Sequence, residues 1–301
     1  AGGEKSSTLN FKTVRFRQHP YALVTDELLH KIRTKIDNYP WAKQNYEKLL
    51  KRADRTQFEG LSYPEITTKG LSWEGLLRGG AERYWQLSLA YKLSGKESYK
   101  NELIEFLLAV ADPEKGYGST RWATHSTAYV HEGEFFTFYP AIYDVLFDEP
   151  ELSSKDHKQI QDTLRLYLET CKQWHVDGDI GNWLTTANAG ALISSIVLQD
   201  MVSFDFFVNC ENGFDDQLSY GIMGDGWWLE GASNYSYLVA RFYGYVAEAA
   251  DNWGINLYDK RVPAKYESNK GRRFKNGWMS MNFDIWGPPG RSYRCLKDLY
   301  D

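Results

Sequence analysis

Apolar residues recur at helical spacing along most of the chain. After a polar, irregular start, Thr25 and Asp26 offer a cap ahead of Leu28, Leu29, Ile32 and Ile36, which share one helical face. Tyr39-Pro40-Trp41 reads as a break followed by a second helix with proline in its first turn, carrying Ala42, Tyr46, Leu49, Leu50 and Ala53 on one side. These two predict a hairpin. Ser72 is placed to cap a longer helix through Leu77, Ala81, Tyr84, Trp85 and Leu89, stopped by Ser94-Gly95, and Tyr99, Leu103, Phe106, Leu107 and Val110 begin the next. Residues 112–133, with Gly116-Tyr117-Gly118, Arg121-Trp122 and the stretch from His125 to His131, predict a long loop of the kind that often carries function. Periodicity returns from Phe135 to Phe147. It then runs from Ser153, in a capping-box pattern with Asp156, to Trp174, and over 183–198, 204–220 and 235–253. Strand-like alternation is scarce, so the pattern predicts an all-α chain of roughly ten helices joined as antiparallel hairpins.

Beyond Lys260 the helical signal weakens, with a basic run at 270–275 and the breaker Gly287-Pro288-Pro289-Gly290. The expected division is an irregular segment over 1–18, a helical domain over 19–260, and a connector over 261–301 toward a further domain. With 301 residues the chain can bury a large core. Its 11 Trp and 21 Tyr raise the aromatic share to 16%, which invites a carbohydrate-binding reading beside the ordinary one of core packing. A net charge of -5 argues against a broad nucleic-acid-binding face, though a local basic patch could still bind a polyanionic sugar. Cys171, Cys210 and Cys295 are far apart and unpaired in pattern, indicating neither a zinc site nor a disulfide framework. No apolar run is long enough to span a membrane, and the first residues lack a signal core.

Two segments gather polar and aromatic residues just ahead of helices. In Gly178-Asp179-Ile180-Gly181-Asn182-Trp183, Asn182 falls near a helix N-terminus, where exposed amides favour a bound carboxylate and where asparagine also commonly serves as a cap. In the run from Gly224 to Tyr237, Trp227 and Trp228 are candidates to stack on sugar rings, Tyr235 can move a proton, and Glu230 either positions the loop or touches substrate, positioning being favoured. His131-Glu132-Gly133-Glu134 lacks the second histidine of a zinc-binding HExxH helix, the glycines of 221–226 follow no strand, and no GxSxG elbow occurs. No cofactor or metal is indicated.

These segments, taken in order, resemble the heparinase II/III-like family of polysaccharide lyases. The stretch from His19 to Thr25 followed by Pro40-Trp41-Ala42 resembles that family's opening hairpin. Asn182-Trp183 resembles its asparagine motif, and Asp225-Gly226-Trp227-Trp228-Leu229-Glu230-Gly231 through Tyr235 its tyrosine motif. The resemblance implies an incomplete (α/α) toroid, usually followed by a β-sandwich domain, and a periplasmic or secreted location. It implies cleavage of acidic, uronate-containing polysaccharides by β-elimination, with Asn182 bonded to the uronate carboxylate and Tyr235 in proton transfer. Trp122, His125, His131, Trp183, Trp227, Trp228 and Glu230 are then expected to contact substrate. Some members place histidine directly after the asparagine or the tyrosine, whereas Trp183 and Ser236 stand there in this chain. A histidine base would come from His125, His131 or the further domain, and the pattern reads closer to heparinase III-like members than to alginate lyases of the same fold. The competing readings are a glycoside hydrolase on a helical toroid, using two carboxylates and water, and a noncatalytic glycan-binding domain.

Overall fold

Helix starts fall where local chemistry satisfies the free amides of a first turn. The Thr25 hydroxyl accepts the Leu28 amide hydrogen at 3.1 Å ahead of α1 (Asp26–Asn38), and Pro40 opens α2 (Pro40–Ala53). In this computed structural model, which describes residues 16–61, 80–119, 129–265 and 292–300, the helices that follow are α3 (Gly80–Ser94), α4 (Glu97–Ala111), α5 (Tyr129–Leu146) and α6 (Ser154–Asp177). They continue with α7 (Asn182–Val197), α8 (Met201–Asn209), α9 (Phe214–Gly221) and α10 (Ser233–Asn252). Ser153 and Asp156 close a reciprocal capping box before α6. The strands described are β1 (Val262–Pro263) and β2 (Tyr293–Arg294), an antiparallel pair followed by a 3-10 turn at Leu296–Leu299.

The helices form an (α/α) toroid. Helices α3, α5, α7 and α10 pack side by side as an inner layer, with α4, α6 and α8 outside them. Successive contacts show that the inner helices run parallel. A Cβ on Gly133 of α5 would lie 2.4 Å from the Ala187 nitrogen of α7, while Gly190, three residues further along α7, faces Phe136 at 3.2 Å. Trp85 of α3 stacks with Phe138 of α5, and Tyr91 near the end of α3 bonds Glu149 beyond the end of α5. Between α7 and α10, Glu230 meets Asn182 at one end and Tyr243 meets Asn188 further down. All four inner first turns therefore open at the same end of the toroid. Helix α7 is enclosed along nearly its whole length because Ala187, Ala189, Gly190 and Ala191 let neighbours approach closely.

The opposite end is closed by the segment before α1. Buried Asp144 of α5 accepts the backbone N–H groups of Tyr21 and Ala22 at 2.9 and 2.8 Å and contacts His19 Nδ1 at 2.5 Å. The Tyr21 hydroxyl donates to the Ile196 carbonyl near the end of α7, and Asn252 at the end of α10 donates to the Ala22 carbonyl.

Two helix expectations need correction. The single helix predicted over 204–220 is broken into α8 and α9, because Asn212 adopts a left-handed φ of 60° and Gly213 then starts a new N-terminus. Helix α5 begins at Tyr129, so His131, Glu132 and Gly133 are helical rather than part of the loop predicted to end at 133. The proposed cap Ser72 and its partner Leu77 lie outside the described residues.

Candidate active site

The carboxylate of Glu230 organises the open end. It accepts the Asn182 backbone N–H at 2.8 Å, the Asn182 Nδ2 amide at 2.5 Å and the Trp228 indole N–H at 2.6 Å. A carboxylate only accepts, so this contact orients the Asn182 amide with its nitrogen toward Glu230. The backbone bond also places that negative charge at the positive end of α7. Asn182 is the first residue of α7, and Gly181 occupies the capping position without a side-chain bond. Asn182 is thus not a cap. Its side chain is held by a residue 48 positions later, on the loop that leads into α10.

Close backbone contacts shape that loop. Met223 and Trp227 pair through a 2.8 Å bond from the Met223 N–H, the Leu229 N–H returns to the Gly221 carbonyl, and Ile222 forms a bridge with Trp228. Gly226 turns the chain with a φ of +87°, and a side chain there would also strike the Asp298 carbonyl. Trp228 folds inward over Gly221, where a Cβ would lie 2.2 Å from the ring, and is fully buried. The expectation that Trp228 stacks on a sugar is therefore corrected: its ring fills the core and its N–H holds Glu230. Trp183 and Trp227, 45% and 46% exposed, keep faces on the surface.

Gln217 of α9 was not anticipated. Its buried amide accepts the Gly181 N–H and the Thr185 hydroxyl at 3.2 and 3.1 Å, and donates to the carbonyls of Asp179 and Asn212 at 3.1 and 3.0 Å. The entry to α7 is therefore held from two sides. The available signal was a glutamine three residues after Phe214 and one before Leu218, on a face otherwise apolar. Below it, His175 contacts the Cys171 carbonyl through Nδ1 and accepts from Asn188 Nδ2 at 2.9 Å through Nε2. Burial pushes its pKa down to about 4.

Tyr235 and Tyr237 diverge on α10. Tyr235 shares its azimuth with the buried Val239, Phe242 and Val246, four, seven and eleven residues on, yet is 38% exposed because it sits in the first turn above the core. It therefore stands at the mouth of the toroid. Tyr237, 67% exposed, points to the other side of the helix and lines a cleft of about 750 Å³ with Trp227, Ser233, Arg241, Tyr245 and Tyr300. Arg241 is anchored there by Glu82 of α3 at 2.7 Å.

His131 lies on the face of α5 that carries Glu134, 3.6 Å away, and then Phe138, which packs against Phe242 and Tyr245 of α10. That face looks inward, so His131 belongs to the same end as Asn182 and Tyr235. Beside it Glu132, fully buried, accepts the Tyr117 hydroxyl at 3.1 Å; burial and that carboxylate push the phenol's pKa well up. Trp122 and His125 lie outside the described residues. Among the described residues no group of three His, Cys, Asp or Glu side chains converges as metal ligands would, and no helix is long and apolar enough to cross a membrane.

No family model matches the chain, and no curated protein matches it. Solved structures share its fold. An alginate lyase from Bacteroides ovatus superposes with a TM-score of 0.58 at 15% identity, over 80% of this chain and 79% of that one. A histidine-to-alanine variant of alginate lyase A1-III, complexed with tetrasaccharide, gives 0.55 at 15% identity over 77% and 69%. A tyrosine-to-phenylalanine variant of the same enzyme with tetrasaccharide gives 0.51 at 16% over 81% and 76%. At these identities the likeness is one of fold. The neighbours carry alginate-lyase names, so the finer likeness to heparinase II/III members rests on the sequence motifs alone.

Proposed function

We propose that this chain is a polysaccharide lyase that cleaves uronate-containing glycans, sulfated ones included, by β-elimination. The observation that carries the reading is the Glu230 clamp, which fixes the Asn182 amide at the start of α7; Glu230 itself precedes Tyr235, at the same mouth, by five residues. Of the two Nδ2 hydrogens, one is committed to Glu230 and the other remains to donate to a substrate carboxylate. That donation stabilises the charge that builds on the carboxylate as the C5 proton leaves. The electron pair released at C5 forms the C4=C5 double bond as the C4–O4 bond breaks, and a proton is delivered to O4. Tyr235 transfers a proton at one or both steps. Where a second base is needed, His131 stands at the same end and His125 is the other candidate. Trp183 and Trp227 offer rings for stacking on flanking sugars. A following β-sandwich completing the cleft, and action outside the cytoplasm, belong to the same proposal.

The test is a panel of uronate polysaccharides assayed for the ultraviolet absorbance of the unsaturated product. Tyr235→Phe is expected to lower turnover at least 100-fold with glycan affinity and melting temperature retained, and Tyr237→Phe to change turnover less than threefold. New reducing ends without absorbance would indicate a hydrolase instead. Near-normal turnover in Tyr235→Phe would remove the proton-transfer role.

A further inference from the structure

At the junction of α2 and α3, a pocket of about 250 Å³ is walled by Arg52, Arg55 and Arg83, with Ala53, Thr56 and Leu87 behind them. The three arginines are exposed while Ala53, Thr56 and Leu87 are buried, so cationic side chains ring a formed floor. Among the described residues no carboxylate pairs with any of the three. Three nearby acids are engaged elsewhere: Asp54 with Lys96 at 2.9 Å and with the Tyr99 hydroxyl, Glu82 with Arg241, and Glu102 with the Phe58 N–H. A basic last turn of α2 is accounted for by the helix dipole, since Lys51 and Arg52 lie beside its free carbonyls. The dipole does not account for Arg83, which comes from another helix to the same pocket, in a chain whose net charge is -5. Guanidinium groups are suited to planar, bidentate recognition of carboxylate and of tetrahedral oxyanions. The volume falls just below the roughly 300 Å³ at which ligand pockets begin, a size for one charged sugar residue.

Arg83 lies in the first turn of α3, and the first turns of all four inner helices open at one end. The pocket is thus at the end that carries Asn182 and Tyr235, and Glu82, the neighbour of Arg83, pairs with Arg241 of α10 at 2.7 Å. We propose that Arg52, Arg55 and Arg83 form an anion subsite that grips a carboxylate or sulfate group of an acidic glycan away from the bond that is cut. The inference rests on the lyase reading for the identity of the glycan, and on the arginine pocket alone for the anion.

The experiment measures binding, by calorimetry on the Tyr235→Phe chain, of an alginate hexamer (carboxylates only), a heparan sulfate hexasaccharide (carboxylates and sulfates) and inorganic sulfate. Each is measured with the three arginines intact and as the triple variant Arg52→Gln, Arg55→Gln, Arg83→Gln. The positions are exposed, and a thermal melt checks that the variant folds. At least a tenfold loss of affinity for one hexamer in the triple variant, with the affinity of the arginine-intact chain falling as salt is raised, supports the proposal. Whichever hexamer suffers the larger loss identifies carboxylate or sulfate as the group held. Equal affinity in the two chains, or arginine-dependent binding of inorganic sulfate alone, overturns it. The lyase reading is scored separately, by ultraviolet-absorbing product from the otherwise unmodified chain and from the chain carrying only the triple arginine change. Arginine-dependent glycan binding without product leaves the subsite standing and removes the lyase. Product formation with arginine-independent binding does the reverse.

Discussion

At the scale of single residues, the mouth depends on polar groups that hold one another. Asn182→Ala removes one of the three donors to Glu230 and the proposed donor to substrate together. Loss of a transition-state donor typically lowers turnover about 100- to 1,000-fold, while removing one hydrogen bond to the half-buried Glu230 carboxylate costs about 1–3 kcal/mol of stability. Turnover per folded molecule, with denaturant unfolding measured alongside, separates the two. A variant that only melts earlier would reduce Asn182 to a structural tie. His175 gives a pH signature. Its folded pKa, about 4, lies below the ordinary 6.5, so between those values the unfolded chain binds a proton that the folded chain resists. The stabilisation, about 3 kcal/mol at most, is fully present above pH 6.5 and is lost as pH falls toward 4. His175→Gln should lower the melting temperature at neutral pH yet flatten its decline between pH 6.5 and 4. Parallel declines in the two proteins would show that His175 does not drive it.

At the scale of elements, the inner layer is set by the Gly133–Gly190 contact between α5 and α7. Gly133→Ala places a methyl 2.4 Å from the Ala187 nitrogen and from the Thr186 carbonyl carbon, backbone atoms that cannot turn aside as a side chain would. The helices must separate, and overpacking of this kind typically costs about 1–3 kcal/mol or more. Chemical denaturation measures the loss, and an unchanged midpoint would mean that the helices slide apart freely. Helix identity was largely legible in the sequence, because caps such as Thr25, Pro40 and the Ser153–Asp156 box act within one turn and need no tertiary partner. The break between α8 and α9 was harder to read: apolar residues from Phe204 to Leu218 keep helical spacing across it, and only Asn212-Gly213 marks the turn. The mouth was legible as residue types and not as geometry. Asn182 and Glu230 were singled out separately, but their contact spans 48 residues and follows from the parallel course of α7 and α10. Trp228 shows the same limit. Its neighbour Trp227 is equally aromatic, and only the bridge to Ile222 and the space above Gly221 turn one ring inward and leave the other at the surface.

At the scale of the whole molecule, the toroid has one closed end and one open end, and the two are expected to be separable by mutation. The closed end is tied by Asp144, whose fully buried carboxylate collects the N–H groups of Tyr21 and Ala22 and the ring of His19, which itself stacks on Phe147 at 3.8 Å. Asp144→Ala leaves two buried backbone donors without an acceptor and frees the segment that crosses the ends of α5, α7 and α10. At about 1–3 kcal/mol for each unsatisfied group, the expected loss is about 2–6 kcal/mol. Because Asp144 follows Gly133 by 11 residues on α5, at about 1.5 Å per residue it lies roughly 16 Å along the helix from the mouth. The Glu230 clamp, Gln217 and the first turn of α10 share no bond with it. Turnover on the best substrate, corrected for the folded fraction at the assay temperature, should therefore stay within about twofold of the parent chain while the melting temperature falls by several degrees. A loss of turnover in the fully folded variant, measured well below its melting temperature, would show that the two ends are coupled and that closure of the base sets the geometry of the mouth.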